Sequence, residues 1–96
     1  MPTVVPSKAF LRDLKKLNPK HRATAARDAL VLFVKNPGHT SLNFERVLSR
    51  KGYHTIRASI GDRILLLKDD DAGGGKYTAV AIGDHDYIYK AYFKKR

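Results

Sequence analysis

Ninety-six residues suffice for one modest hydrophobic core and not for two. With 43% apolar residues the chain is too hydrophobic for a disordered protein, and the absence of cysteine excludes disulfides and thiolate metal sites. Nineteen Lys and Arg against nine acids leave a formal charge of +10, which favours a polyanion as partner, nucleic acid before an acidic protein. No segment approaches the roughly 18 apolar residues of a membrane span, and "MPTVVPSKAF" lacks a signal-peptide pattern, so the expected address is the cytoplasm, with no membrane partner.

The β-branched "TVV" at Thr3 to Val5 predicts a short edge strand ended by Pro6. Ser7 then caps a helix whose apolar stripe is Phe10, Leu11, Leu14 and Leu17, opposite Lys8, Arg12, Lys15 and Lys16. Asn18-Pro19 reads as the start of a second helix, with Ala26, Ala29, Leu30 and Phe33 at i, i+3, i+4, i+7 on its buried face and "KNPGHT" ending it near Asn36. The two are expected to form an antiparallel pair with cationic outer surfaces.

Beyond this the period changes to two. "NFERVL" is compatible with a strand. "YHTIRASI" alternates, with His54, Ile56, Ala58 and Ile60 on one side and Tyr53, Thr55, Arg57 and Ser59 on the other. Gly61-Asp62 marks a tight turn, "RILLL" a central strand, "DDDAGGGK" a flexible hairpin loop and "YTAVAI" a further strand. The expected fold is one α+β domain over residues 1–96. A short N-terminal strand and a two-helix hairpin would pack on one face of a three- to four-stranded antiparallel sheet, followed by a short C-terminal helix or tail.

"FLRDLKKL" in the first helix, "IRASIGDRILLL" across the hairpin and "AIGDHDYIYKAY" at the end together resemble the RelE/ParE family of bacterial toxins over nearly the whole chain. The resemblance implies the same architecture and a cognate antitoxin protein as partner. It also implies one of two activities: cleavage of mRNA on the ribosome in the RelE branch, or inhibition of DNA gyrase without chemistry in the ParE branch. A non-catalytic RNA- or ribosome-binding module is the third reading. His85 with Tyr89 favours the nuclease, since an inhibitor has no use for a proton carrier there.

Metal-free RNA cleavage needs a base for the 2′-hydroxyl, a cation for the crowded phosphate and an acid for the leaving 5′-oxygen. The resemblance places His85 where family ribonucleases carry a basic residue after the last core strand. Imidazole's ordinary pKa of about 6.5 suits either proton transfer. Arg63 matches the arginine that opens the strand after the hairpin turn, a planar donor fork that stays charged throughout. Tyr89 matches the aromatic four residues after the basic one; it would stack on a nucleobase or donate its phenol proton. Each has a structural alternative: a hydrogen-bonded strand-end histidine, an arginine paired with Asp62 or a tail carboxylate, and a tyrosine anchoring the C-terminal turn.

Arg57, His54, Tyr87, Lys90 and Lys94 complete the candidate substrate contacts. Tyr87, like Tyr92, also suits packing, and His54 alternates with Ile56 and Ala58 as a buried residue would. Arg57 shares a face with Arg63 if Ser59 pairs with Arg63 and points away if Ile60 does. Asp62 stands where the family usually has an aromatic, a departure at the hairpin. Asp86 is positioned in sequence to orient His85. Lys8, Arg12, Lys15, Lys16, Lys20, Arg22, Arg27, Lys90, Lys94, Lys95 and Arg96 would suit an RNA backbone, with binding that weakens as salt rises.

"AGGGK" has the wrong length and setting for a phosphate-binding Gly-rich loop, "DDD" lacks calcium-loop spacing, and the four histidines lack zinc spacing. No metal and no small-molecule cofactor is expected.

Overall fold

The computed structural model describes residues 2–69 and 75–93. Most of the proposed hairpin loop, residues 70–74, and the tail with Lys94 lie outside these residues. In chain order the elements are β1 (Thr3–Pro6), α1 (Lys8–Lys16), α2 (His21–Lys35), a 3-10 turn (Thr40–Leu42), β2 (Glu45–Arg46), β3 (Tyr53–Arg57), β4 (Asp62–Asp69), β5 (Lys76–Asp84) and α3 (His85–Tyr92).

The sheet has five strands in the order β1-β5-β4-β3-β2. The four C-terminal strands pair antiparallel, as expected, and β1 adds a parallel edge to β5 with Val4 opposite Tyr77. A bulge between Leu65 and Leu66 lets Val80 of β5 go unmatched, since Leu65 faces Ala81 and Leu66 faces Ala79.

Ser7 does cap α1: its Oγ accepts from Phe10 N at 3.0 Å and donates to Val80 O at 3.1 Å, tying the helix start to β5. Phe10, Leu14 and Leu17 are buried, whereas Leu11, counted in the apolar stripe, is exposed on the outer face. The second helix begins at His21, later than Asn18-Pro19 suggests, after a turn in which Arg22 N donates to Pro19 O at 3.0 Å. It stops at Asn36 as predicted.

Alternation sorts the sheet residues into two cores. On one face Ile56, Ile64, Leu66, Tyr77, Ala79 and Ile82 meet Phe10, Leu14, Ala26, Ala29 and Phe33 of the helix pair. On the other, Leu65 and Ala81 meet Val47 and Ile88. The helices therefore do not all cover one face, because Ile88 draws α3 across the opposite side and makes three layers. Burying a side chain such as Ile88 stabilises by about 1.5–3 kcal/mol, enough to dock an eight-residue helix that would not persist alone.

The junction of β5 and α3 is held by a tyrosine over a glycine. A Cβ at Gly83 would lie 2.5 Å from Tyr87 Cδ2, and the ring has little room to retreat because its hydroxyl donates to Asp13 Oδ1 at 2.8 Å. Asp13 Oδ2 in turn accepts from Ile82 N at 3.3 Å, on the β5 edge that β1 no longer covers. Gly83→Ala is expected to cost about 1–3 kcal/mol through overpacking, read as a lowered urea midpoint at unchanged m-value.

Candidate active site

The β3–β4 hairpin brings the first two candidate side chains together. Its loop is the four residues Ala58–Gly61, closed by Ala58 N donating to Asp62 O at 2.9 Å, so β3 ends earlier than its alternation suggests and Ile60 is fully exposed at the tip. This register puts Arg57 directly opposite Arg63. The two side chains share a sheet face, on the side of Leu65 and α3. Like charges directly opposite each other destabilise a sheet, so the pairing is not one that stability selects. Arg63 is half-buried, its Nη1 is buried without a hydrogen-bond partner, and no ion pair engages Arg57 or Arg63 among the described residues. Two guanidinium groups on one face offer the kind of donors that a phosphate-like anion accepts from.

Asp62 does not serve as the partner of Arg63. It points to the opposite face, where Arg22 of α2 holds it through two bonds, Nε to Oδ2 at 2.9 Å and Nη2 to Oδ1 at 2.7 Å. Ser59 Oγ donates to Oδ2 at 3.3 Å. Asp62 is only 3% exposed, and the hydrogen bonds from Arg22 outweigh this burial and hold its carboxyl below the ordinary aspartate range. The Arg22 guanidinium is shifted upward for the same reason. Asp62 thus closes the turn with its backbone and anchors it to α2 with its side chain, and Arg63 has no ion-pair partner among the described residues.

Asp62→Asn is expected to cost about 2–3 kcal/mol at pH 7, because a charge-assisted fork onto a buried group is lost. A carboxyl lowered in the folded state contributes stability that is complete above its unfolded value and is lost as the pH falls through the folded one. The gap between wild type and variant should therefore close in strong acid, measured as urea midpoints across a pH series.

The next strand continues the row. Gly83 of β5 lies directly opposite Arg63, two residues before His85. Asp84 ends the strand and caps α3, its Oδ1 accepting from Tyr87 N at 2.7 Å, so that His85 becomes the first helical residue. Helical spacing then places Tyr89 beneath it: the rings stack with centroids 4.3 Å apart and planes 20° from parallel. Tyr89 is held from behind by Phe93 at 5.3 Å. His85 is exposed, and its Nδ1 lies 3.7 Å from Asp86 Oδ1, an ion pair only when the ring is protonated.

Tyr89 also borders a shallow groove of about 610 Å³ lined by Glu45, Arg46, Val47, Leu48 and Ser49. Glu45 escaped the sequence reading. It pairs with Thr55, which lies two residues before Arg57 on the same strand face, so a carboxylate joins the arginine and histidine side of the sheet. A two-residue strand carries too little alternation to reveal its register, and no sequence signal marked it.

Other sequence candidates are placed elsewhere. His54 is on the opposite face, stacked on Phe44 at 4.8 Å and edge-on to Tyr77 at 6.0 Å beneath the helix pair. This placement agrees with its alternation with Ile56 and sets it on the face away from the arginine pair. Tyr87 is committed to Gly83 and Asp13; burial, ahead of the Asp13 bond, pushes its phenol up to about 12. These contacts give it a structural part at the β5–α3 junction. Lys90 is exposed on α3, and Lys94 lies outside the described residues. Among the described residues no group of three or more His, Asp or Glu is arranged to hold a metal ion.

No protein-family model matches the chain, and no curated protein matches its sequence. Solved structures do match its fold. YafQ from Escherichia coli superposes with a TM-score of 0.70 over 93% of this chain and 99% of that one, at 15% identity. In the RelB–RelE antitoxin–toxin complex of Methanococcus jannaschii the figures are 0.66, 92%, 98% and 18%. For the YoeB/ParE toxin of Agrobacterium tumefaciens they are 0.69, 86%, 98% and 13%. The chain has the α+β fold of the RelE, YafQ and YoeB/ParE toxins. The similarity spans most of this chain and almost the whole of each of the others.

Proposed function

We propose that this protein is the toxin of a toxin–antitoxin pair and an endoribonuclease that cleaves mRNA on the ribosome without a metal. The observation that carries the reading is the Arg57–Arg63 pair, opposed and without an ion-pair partner among the described residues, beside the stacked His85 and Tyr89. Such a pair raises the cost of folding unless an anion occupies it, and a scissile phosphate is an anion of the right size and geometry.

In the proposed reaction the 2′-oxygen attacks the adjacent phosphorus, a 2′,3′-cyclic phosphate forms, and the bond to the 5′-oxygen breaks. Arg63, assisted by Arg57, neutralises the charge that builds on the phosphate. Glu45 accepts the 2′-hydroxyl proton, and His85 delivers a proton to the leaving 5′-oxygen. Tyr89 stacks a neighbouring base and keeps the attack in line.

Two of the three structural relatives described above are named as RelE or YafQ proteins, and one of them is a complex with its antitoxin. An antitoxin that covers the cationic surface is therefore the proposed partner, and ribosomes place the action in the cytoplasm. No helix among the described residues is long and apolar enough to cross a membrane.

The test is primer extension on mRNA bound to programmed ribosomes at low salt. Discrete cuts that disappear in Arg63→Ala support the nuclease. Absence of cuts would transfer the proposal to gyrase, whose supercoiling activity is then the assay.

A further inference from the structure

A second cationic site lies away from the arginine pair. Between α1 and α2 runs a cleft of about 300 Å³ with Leu14 and Leu17 on its floor and Lys15, Lys20, Thr24 and Arg27 around it. Lys20, Thr24 and Arg27 follow one another at i, i+4, i+7, so helical periodicity sets their side chains in a row along one side of α2. Lys15 reaches the same cleft from the last turn of α1.

Three features mark it as a receptor for anions. No acid lines it. Among the described residues no hydrogen bond or ion pair engages the side chains of Lys15, Lys20 or Arg27. The first turn of α2 contains no acidic residue and Lys20 makes no side-chain cap. The Arg22–Asp62 bridge joins this same turn of α2 to the base of the β3–β4 hairpin, which brings the cleft and the arginine pair to one end of the sheet.

We infer that this cleft is a second phosphate-binding site, which holds the RNA backbone some distance from the bond that is cut. The inference rests on RNA being the substrate class. Leu14 and Leu17 exclude water beneath the anion, which strengthens the charge-assisted bonds above them. The phosphate belongs either to the mRNA strand itself or to ribosomal RNA.

The experiment measures binding and does not depend on cleavage. A fluorescein-labelled 2′-O-methyl RNA octanucleotide, which lacks the internal nucleophile, is titrated with wild type and with Lys20→Ala/Arg27→Ala over a salt series. Sedimentation with 70S ribosomes forms a parallel arm. The expected result is a loss of about 10-fold or more in affinity at low salt, with the slope of log K against log salt reduced by about 1.4 for two lost phosphate contacts. Loss in both arms assigns the phosphate to the mRNA strand; loss with ribosomes alone assigns it to ribosomal RNA.

Lys20→Arg/Arg27→Lys preserves the charges and should bind like wild type; if it is as weak as the alanine variant, disrupted folding explains the loss and the inference falls. Wild-type affinity and slope for the alanine variant in both arms also overturn it. So does unchanged RNA binding with weakened binding of poly-L-glutamate, which would give the cleft to a carboxylate-bearing partner. If the wild type binds neither RNA nor ribosomes, it is the proposed function that fails.

Discussion

Arg63→Ala is expected to lower the rate of mRNA cleavage on programmed ribosomes by about 10³-fold while leaving the protein at least as stable as the wild type. The two halves of this expectation have one cause. Removing a fixed donor aimed at developing charge costs about 10²–10³ in rate when the site is dry, and the half-buried Arg63 lies at the upper end of that range. For stability, the residue stands opposite another arginine and carries a buried Nη1 that no described residue satisfies. Truncation relieves the repulsion and the unpaired donor, together about 1 kcal/mol, against the lost packing of an aliphatic stem. A thermal melt that is unchanged or raised, together with lost cleavage, separates a functional arginine from a structural one. Arg57→Ala should lose less, about 10-fold, because Arg57 is exposed and its field is screened by water. A cleavage rate within threefold of wild type for Arg63→Ala would remove the arginine pair from the reaction.

His85→Ala is the second large effect, a fall of about 10²–10⁴-fold in the single-turnover rate, the range ascribed to one positioned acid or base. The side chain is 62% exposed and makes no buried hydrogen bond among the described residues, so the folding free energy should stay within about 0.5 kcal/mol of wild type. The stacked ring beneath it permits a sharper experiment. Tyr89→Phe keeps the stack on His85 and the contact with Phe93 but removes the hydroxyl. If Tyr89 acts by stacking, Tyr89→Phe cleaves within about threefold of wild type while Tyr89→Ala loses about 1–3 kcal/mol of base binding. If the phenol supplies the proton, both Tyr89 variants fail, and His85→Ala retains most of the activity.

The hairpin shows how an altered motif can still set two arginines opposite each other. With Asp62 in place of an aromatic, the sequence suggested a carboxylate next to the arginine that needs to stay free. Strand alternation sends Asp62 to the other face, and Arg22, forty residues earlier, takes up its charge. That contact could not be anticipated from either segment, because nothing in "HRATAARDAL" distinguishes Arg22 from its solvated neighbours.

Local physical chemistry carried much of this protein. The 3.6-residue period of Phe10, Leu14 and Leu17 and of Ala26, Ala29 and Phe33 defined the helix pair. Ser7 marked a real cap, and alternation in "YHTIRASI" put His54 and Ile56 on one side of the strand. These signals depend on neighbours within one or two turns of chain, which is why they are legible in the sequence. The direct opposition of Arg57 and Arg63, the parallel seat of β1 on β5, the position of Glu45 beside the groove and the crossing of α3 to the second face belong to the tertiary structure alone. Each depends on which distant segments pair and in what register. Ladder hydrogen bonds are nearly degenerate under a two-residue slip, so it is the packing of Ile88, Val47 and the Arg22–Asp62 bridge that selects among them.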